Sequence, residues 1–316
     1  MKIAVLDAAT LGDDLVLDPL SAFGEVSVYA STLAEQAAER TKDADVLVIN
    51  KFRCNAETLR GAEKLRLICV FATGYDNIDV SYCRKRGIAV CNVVGYSTES
   101  VAQLTTAMVL SLATCLTEYD GYTKSGAYTK SGAANSVSPV FHELRGKTWG
   151  IFGFGNIGRQ VAKVAEALGC RVLVCKRTPA EDYPCVSFDE LCEKSDVLTL
   201  HSPLNEQTRG ILNEEKIAKL KTNVILVNVA RGAVVDEAAV AEAVLKGCIA
   251  AYGCDVYSTE PMGEEHPYQR LLGLSNVLLT PHMAWGAYEA RERCLSEICK
   301  NIDSFLKGGK RNRVDI

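Results

Sequence analysis

The stretch "KTWGIFGFGNIGRQVAKVAEALG", residues 147–169, decides how the rest of the chain is read. Its first part is an apolar run with strand character, and its last part repeats apolar residues at helical spacing. Between them Gly153, Gly155 and Gly158 stand in G-x-G-x-x-G spacing. Alone, that spacing is a weak signal. Between a strand and a helix it describes a dinucleotide-binding turn. The first glycine permits the tight turn, the second lets a pyrophosphate approach the backbone, and the third lets helix and strand pack closely. The helix N-terminus supplies N–H groups to the anion.

Working outward, five more strands follow this turn's own: "CRVLVCK", "SDVLTLHSP", "NVILVNVARG", "IAAYGCDVY" and "SNVLLTPH". Separated by helical segments, the six make a full dinucleotide-binding sheet. Toward the N-terminus, residues 2–7, 44–50, 65–71 and 87–93 are four further apolar runs. They read as parallel strands covered on both faces, with helical segments such as "STLAEQAAERTKD" between them. Residues 97–116 read as one long apolar helix, buried or packed between domains, with Ser97, Thr98, Glu99 and Ser100 as capping candidates. Residues 119–146 show no period and are expected to form a long loop or arm. A last amphipathic helix is expected from about Tyr288 to Leu306.

The chain has 316 residues, 48% hydrophobic, which suggests about two domains. A net charge of −4 argues against a general affinity for nucleic acid. The N-terminus reads as a strand and not a signal peptide, and no apolar run approaches the roughly 20 residues of a membrane span. Thirteen cysteines lie largely in apolar runs without C-x-x-C spacing. They predict a reduced, cytoplasmic enzyme with thiols as small core residues, no disulfide framework and no metal.

The second strand of the dinucleotide unit ends in "VCKRT", residues 174–178. Eighteen residues after Gly158, where an acid usually holds the ribose hydroxyls, stands Lys176, followed by Arg177 and Thr178. Cations there can neutralise a 2′-phosphate that an aspartate would repel. The bland reading is a solvated charge pair. The phosphate reading predicts NADP ahead of NAD.

Three residues at strand ends suit transfer of a proton and a hydride. His282, in "LLTPHMAWG", has the residue type for exchanging a hydroxyl proton near neutral pH. Glu260, in "DVYSTEP", is a carboxylate that would orient the imidazole and favour its charged form. Arg231, in "NVARG", offers a planar guanidinium to a carboxylate or carbonyl. Taken singly, each also reads as an ordinary turn or capping residue. His142 and His266 lie outside these motifs and read as structural or surface residues.

Together, "GFGNIG", "HSPL", "NVARG", "DVYSTEP" and "PHMAW", in this order and spacing, resemble the D-isomer-specific 2-hydroxyacid dehydrogenase family. The likeness extends to "NKFRCNAETL" and "FATGYDNIDV" in the first part of the chain. "PHMAWGAYEA" looks most like the glycerate dehydrogenase or hydroxypyruvate reductase branch. The resemblance implies two doubly wound α/β domains, with a Rossmann-type coenzyme domain, residues 99–286, inserted in a flavodoxin-like substrate domain, residues 1–98 and 287–316. It implies that Arg231 binds substrate, that His282 is the acid–base group and that Glu260 is its partner. Coenzyme residues by the same resemblance are Gly153, Gly155, Asn156, Ile157, Gly158, His201, Pro203, Val229, Ala230, Asp255 and Trp285, with Lys176, Arg177 and Thr178 at the ribose corner. Asp255 is expected near the nicotinamide carboxamide. Backbone N–H groups around Thr73 and Gly74 are expected to receive the substrate carboxylate. The substrate implied is a small 2-keto acid such as hydroxypyruvate or glyoxylate, and residues 119–146 resemble a homodimer-forming segment. The rival reading is a dinucleotide-sensing corepressor on the same scaffold, and turnover of a keto acid separates the two.

Overall fold

A computed structural model describes residues 1–178 and 182–316. In chain order the elements are β1 (Lys2–Val5), β2 (Glu25–Val28), α1 (Ala34–Thr41), β3 (Val46–Ile49), β4 (Leu67–Val70), α2 (Val80–Lys85), β5 (Ala89–Cys91), α3 (Thr98–Ala113), α4 (Leu116–Lys124) and α5 (Ala127–Ser131). Then come β6 (Thr148–Phe152), α6 (Asn156–Ala167), β7 (Arg171–Cys175), α7 (Phe188–Lys194), β8 (Val197–Leu200), α8 (Glu214–Ile217), β9 (Ile225–Asn228), α9 (Glu237–Leu245), β10 (Ala251–Cys254), β11 (Val277–Leu279) and α10 (Tyr288–Leu306). The chain divides into two compact units, Met1–Ser97 with Gly286–Ile316, and Thr98–Trp285.

In the first unit the sheet order is β2-β1-β3-β4-β5, all pairs parallel. That is the flavodoxin-like order, with the reversal beside β1. β3 and β4 are buried along their whole length, as near-continuous apolar strands should be. Only four strands were expected here, and β2 is the correction. Its residues Glu25, Val26, Ser27 and Val28 are mostly exposed at the sheet edge, so no apolar run marks it. α10 matches its expected span and packs on β4, burying Cys294, Leu295, Ile298 and Ile302.

The second unit's sheet runs β11-β10-β9-β8-β6-β7, again all parallel. The chain goes from β6 outward to β7, then returns to the other side of β6 for β8, so the reversal lies between β6 and β8. Ligands of open α/β sheets bind at the carboxyl ends of the strands at such a point. Trp149, Ile151, Val161, Ala162 and Val197 pack with Met108 and Val109 of α3 to form one of this unit's cores.

Two expectations about residues 97–146 are corrected. The single helix over 97–116 ends at Ala113, Cys115 takes a left-handed φ of 51°, and α4 leaves at 64° to α3. Among the described residues no single helix is long and apolar enough to cross a membrane. The expected loop over 119–146 instead begins with α4 and α5, neither of which buries a residue. Without an apolar stripe there is no period to read. Tyr119 Oη donates to the Pro139 carbonyl at 2.6 Å and ties the later part of the arm back to α4.

Candidate active site

β9, β10 and β11 are neighbours, and each opens at its carboxyl end into a loop carrying one of the three expected residues. After β9, Asn228 shapes the turn: its Oδ1 accepts from Ala230 N–H at 3.1 Å and its Nδ2 donates to the Arg231 carbonyl at 3.0 Å. Val229 and Ala230 are buried, and Arg231 is half-buried with Nη1 donating to the Ala230 carbonyl at 2.8 Å. The next residue must be glycine. A Cβ on Gly232 would fall 2.1 Å from both the Ser258 nitrogen and the Tyr257 carbonyl carbon. The backbone beside Arg231 therefore rests directly on the backbone of the loop that carries Glu260.

The turn after β11 holds His282 in a conformation a histidine rarely adopts, with φ of 53°. Such a residue costs of order 1–3 kcal/mol and persists only where its surroundings over-determine it. Here they do. Buried Asp255, just past β10, accepts from Thr280 Oγ1 at 2.6 Å, Met283 N–H at 2.8 Å and Ala284 N–H at 2.9 Å. Bonds to a charged group are worth about 1.5–3 kcal/mol each, more than enough to offset the strain. Burial raises the Asp255 carboxyl above its ordinary range, against Thr280 and the two amides, which favour the charged form. Trp285 Nε1 donates to the His282 carbonyl at 2.9 Å, and Ser100 Oγ of α3 donates to the Ala284 carbonyl.

The side chain so presented meets Glu260. His282 Nδ1 lies 2.7 Å from both Glu260 oxygens. A carboxylate only accepts, so the Nδ1 proton points at Glu260 and Nε2 is the nitrogen directed to proton exchange with a substrate. Glu260 is itself held: its Oε1 accepts from Tyr257 N–H at 3.2 Å, and Tyr257 Oη donates to the Thr280 carbonyl at 2.9 Å. The expected pair is thus in direct contact, and Arg231 stands on the adjacent loop. Sequence reasoning missed the supports, Gly232, Tyr257 and Thr280. All three stand in quoted motifs, Gly232 in "NVARG", Tyr257 in "DVYSTEP" and Thr280 in "LLTPHMAWG", but the motifs do not show what each one touches.

The glycine turn fits a dinucleotide. Gly153 has φ of 90°, and a Cβ there would meet Ser202 N at 2.4 Å and His201 C at 2.6 Å. A Cβ on Gly158 would meet the Gly153 carbonyl oxygen at 2.4 Å, while one on Gly155 would meet nothing within 4 Å. The middle glycine faces open space and the outer two are packed shut, which is the arrangement the three roles demand. α6 begins at Asn156, followed by Ile157, and its N-cap Gly155 makes no side-chain capping bond, so the first-turn N–H groups suit an anion. Across the reversal point, His201 Nδ1 and Nε2 and Ser202 Oγ are buried without a hydrogen-bond partner among the described residues. Burial pushes His201 down to about 3, so the ring is neutral. The residue as a whole is only half-buried, but its ring nitrogens are covered. Exposed Pro203 follows, its carbonyl accepting from Thr208 Oγ1 at 2.7 Å.

Lys176, half-buried, and exposed Arg177 and Thr178 follow β7, whose last residue Cys175 accepts through its carbonyl from Gly153 N–H at 2.9 Å. The two cations therefore stand beside the glycine turn. In the first unit, Thr73 and Gly74 lie just past β4. Thr73 Oγ1 donates to the Val93 carbonyl at 2.7 Å and its own carbonyl accepts from Asn92 Nδ2 at 2.8 Å, which fixes the backbone of the turn. His142 is exposed, and His266 is buried.

Residues 106–284 match the family model for the D-isomer specific 2-hydroxyacid dehydrogenase NAD binding domain. The chain is 37% identical to a hydroxypyruvate reductase from Blautia hydrogenotrophica over the full length of both proteins. It is 32% identical to a glycerate dehydrogenase from Methylorubrum extorquens, covering 99% of each. Its fold matches a D-lactate dehydrogenase from Aquifex aeolicus, solved with NAD and lactic acid, at a TM-score of 0.87 and 30% identity, covering 100% of this chain and 99% of that one. A glycine turn shaped for a pyrophosphate, a histidine–carboxylate pair one loop from an arginine, and these likenesses agree: the chain belongs to the D-isomer-specific 2-hydroxyacid dehydrogenase family of NAD(P)-dependent oxidoreductases.

Proposed function

We propose that this protein reversibly reduces a small 2-keto acid, hydroxypyruvate or glyoxylate by preference, to D-glycerate or glycolate, with NADP(H) favoured over NAD(H). The observation that carries the reading is the 2.7 Å contact of His282 with Glu260 on the loop against which the Arg231 turn rests. Residues 1–97 and 286–316 serve as the substrate domain, and residues 98–285 as the coenzyme domain. Gly153, Gly155, Asn156, Ile157 and Gly158 hold the pyrophosphate, and His201, Pro203, Val229, Ala230, Asp255 and Trp285 line the remainder of the coenzyme site. Backbone N–H groups of Thr73 and Gly74 receive the substrate carboxylate. When bound, the reduced nicotinamide supplies the hydride that forms the new C–H bond at C2. Arg231 polarises the C2 carbonyl. His282 Nε2 gives its proton to that oxygen as the carbonyl π bond opens, and Glu260 stabilises the imidazolium beforehand and keeps the ring aimed. In oxidation the same nitrogen takes the proton back.

Coenzyme preference follows from charge. Lys176 and Arg177 stand where an acid would bind ribose hydroxyls, and a 2′-phosphate carries up to two negative charges. A cytoplasmic homodimer completes the reading. All thirteen cysteines are free thiols, most of them buried, as a reducing compartment favours. The arm after α3 exposes Leu116, Val137, Val140 and Phe141, an apolar surface suited to a second copy.

The test is kcat/KM for hydroxypyruvate, glyoxylate, pyruvate and 3-phosphohydroxypyruvate with each coenzyme. Hydroxypyruvate or glyoxylate should lead. A clear lead for pyruvate overturns the substrate assignment, and absence of turnover with all four favours the corepressor reading. Arg231→Lys should lower kcat/KM for the keto acid by about tenfold or more, because an ammonium lacks the two-pronged planar geometry. If that variant changes only the coenzyme constants, Arg231 belongs to the coenzyme site.

A further inference from the structure

We infer that Glu237, buried beside His266 and bonded to the exposed Ser258, is a positioning residue for Glu260. Glu237 opens α9 and is 8% exposed, which is unusual for a carboxylate at a helix start. An acid there normally complements the helix dipole while facing water. This one is turned inward onto the neighbouring loop. Its Oε1 accepts from Ser258 N–H at 2.9 Å, and its Oε2 accepts from Ser258 Oγ. His266 closes the other side. Its Nδ1 accepts from Tyr268 N–H at 3.2 Å, which places the ring proton on Nε2, and Nε2 lies 3.0 Å from Glu237 Oε2. That contact is at ion-pair distance without the alignment of a hydrogen bond. Tyr257 and Tyr268 pack edge-on against the imidazole, with centroids 5.7 and 4.9 Å away, and hold it in place.

Ser258 is two residues before Glu260, and the residue before it, Tyr257, donates its N–H to Glu260 Oε1. The loop is therefore held at Ser258 by Glu237 and at Tyr257 by the Thr280 carbonyl. Gly232 packs its backbone on the same two residues. A buried carboxylate is costly unless it is fully bonded, and here both oxygens are spent on one serine. The arrangement fixes where the loop starts, and so where the Glu260 carboxylate meets His282. Glu237 bonds to Ser258, and the path from it to the reacting pair runs along this loop to Glu260.

The inference rests on the proposed roles of Glu260 and His282, and a double-mutant cycle separates the two. Glu237→Gln should lower kcat for hydroxypyruvate reduction by about tenfold while the coenzyme Kd stays constant. In a Glu260→Gln background the same change should cost nothing further, because the group it positions is already gone. Equal losses in both backgrounds, or an unchanged kcat, overturn the inference. If Glu237→Gln does not fold, Ser258→Ala removes one hydroxyl donor only. It should cost about threefold in kcat, and that loss should also vanish beside Glu260→Gln; equal losses in both backgrounds, or none, count against Glu237. Should Glu260→Gln alone turn over like the wild type, the catalytic reading fails first, and the positioning role with it.

Discussion

β7 and β11 are the two edges of one sheet, and their carboxyl ends are built in opposite ways. Past β11, His282 sits in a left-handed turn whose backbone and side chain are bonded to Asp255, Trp285 and Glu260, three partners from the same unit. Past β7, half-buried Lys176 and exposed Arg177 carry their charges on long side chains. The difference follows from the tasks. A proton must move along one line within a few tenths of an ångström, and misplacement by about 1 Å can cost 10²-fold. A phosphate can be recognised by charges that find it from several rotamers, at the cost of screening by water and salt.

The largest effect should come at the bonded end. His282→Gln should lower kcat by about 10²–10⁴-fold while coenzyme binding stays within a few fold. Near-normal turnover of the purified variant removes His282 from the chemistry and breaks the contrast outright. Next comes Gly232→Ala, whose methyl has no room against the Tyr257 and Ser258 backbone. Forcing those loops apart should cost about 10²-fold in kcat, plus about 1–3 kcal/mol of stability measured by denaturant unfolding. Unchanged kinetics would show that the two loops need not touch.

The solvated end should respond more mildly. Lys176→Asp with Arg177→Ala should reduce the ratio of kcat/KM for NADPH over NADH by roughly tenfold or more, and the wild-type ratio should shrink as salt rises. A wild type that prefers NADH, or a double variant with the same ratio, means that these charges merely face water. The smallest effect at neutral pH belongs to His201, neutral in the fold with burial holding it at about 3. The unfolded chain takes up this proton as pH falls through about 6.5, whereas the native state does so only near 3. Stability should therefore fall with pH across that window. His201→Gln should flatten the slope by up to about 1.4 kcal/mol per pH unit, read from denaturant midpoints between pH 7 and 4. An identical slope would place His201 in contact with water.

The parts of this architecture that could be read from sequence are those in which one residue type has one job. β6, α6 and the three glycines announce themselves because a strand, a tight turn and a helix follow within twenty residues. The continuous apolar runs of β8, β9 and β10 do the same. The edge strand β2 and the helices α4 and α5 escape because they bury little or nothing, and pattern is a record of burial. The site divides along the same line. His282, Glu260 and Arg231 each occupy a strand end and can be nominated one at a time. Their supports cannot: Glu237 meets Ser258 from 21 positions away, and Asp255 meets Ala284 from 29, so the contacts exist only once the sheet is assembled.

The order in which the units appear along the chain has a consequence for biosynthesis. Strands β1 to β5 emerge from the ribosome first, but α10, which covers β4, follows the entire second unit. At about 5–20 residues per second, the nascent first unit waits on the order of ten seconds or more for its last helix. During that interval the face that later buries Cys294, Leu295, Ile298 and Ile302 is bare. The inserted unit meanwhile holds all its own strands and can fold as soon as His282 and Trp285 clear the exit tunnel. A chaperone that binds apolar sheet faces would find its target on the older half of the chain, and a stop codon after Trp285 would leave a folded coenzyme domain tethered to an unfinished one.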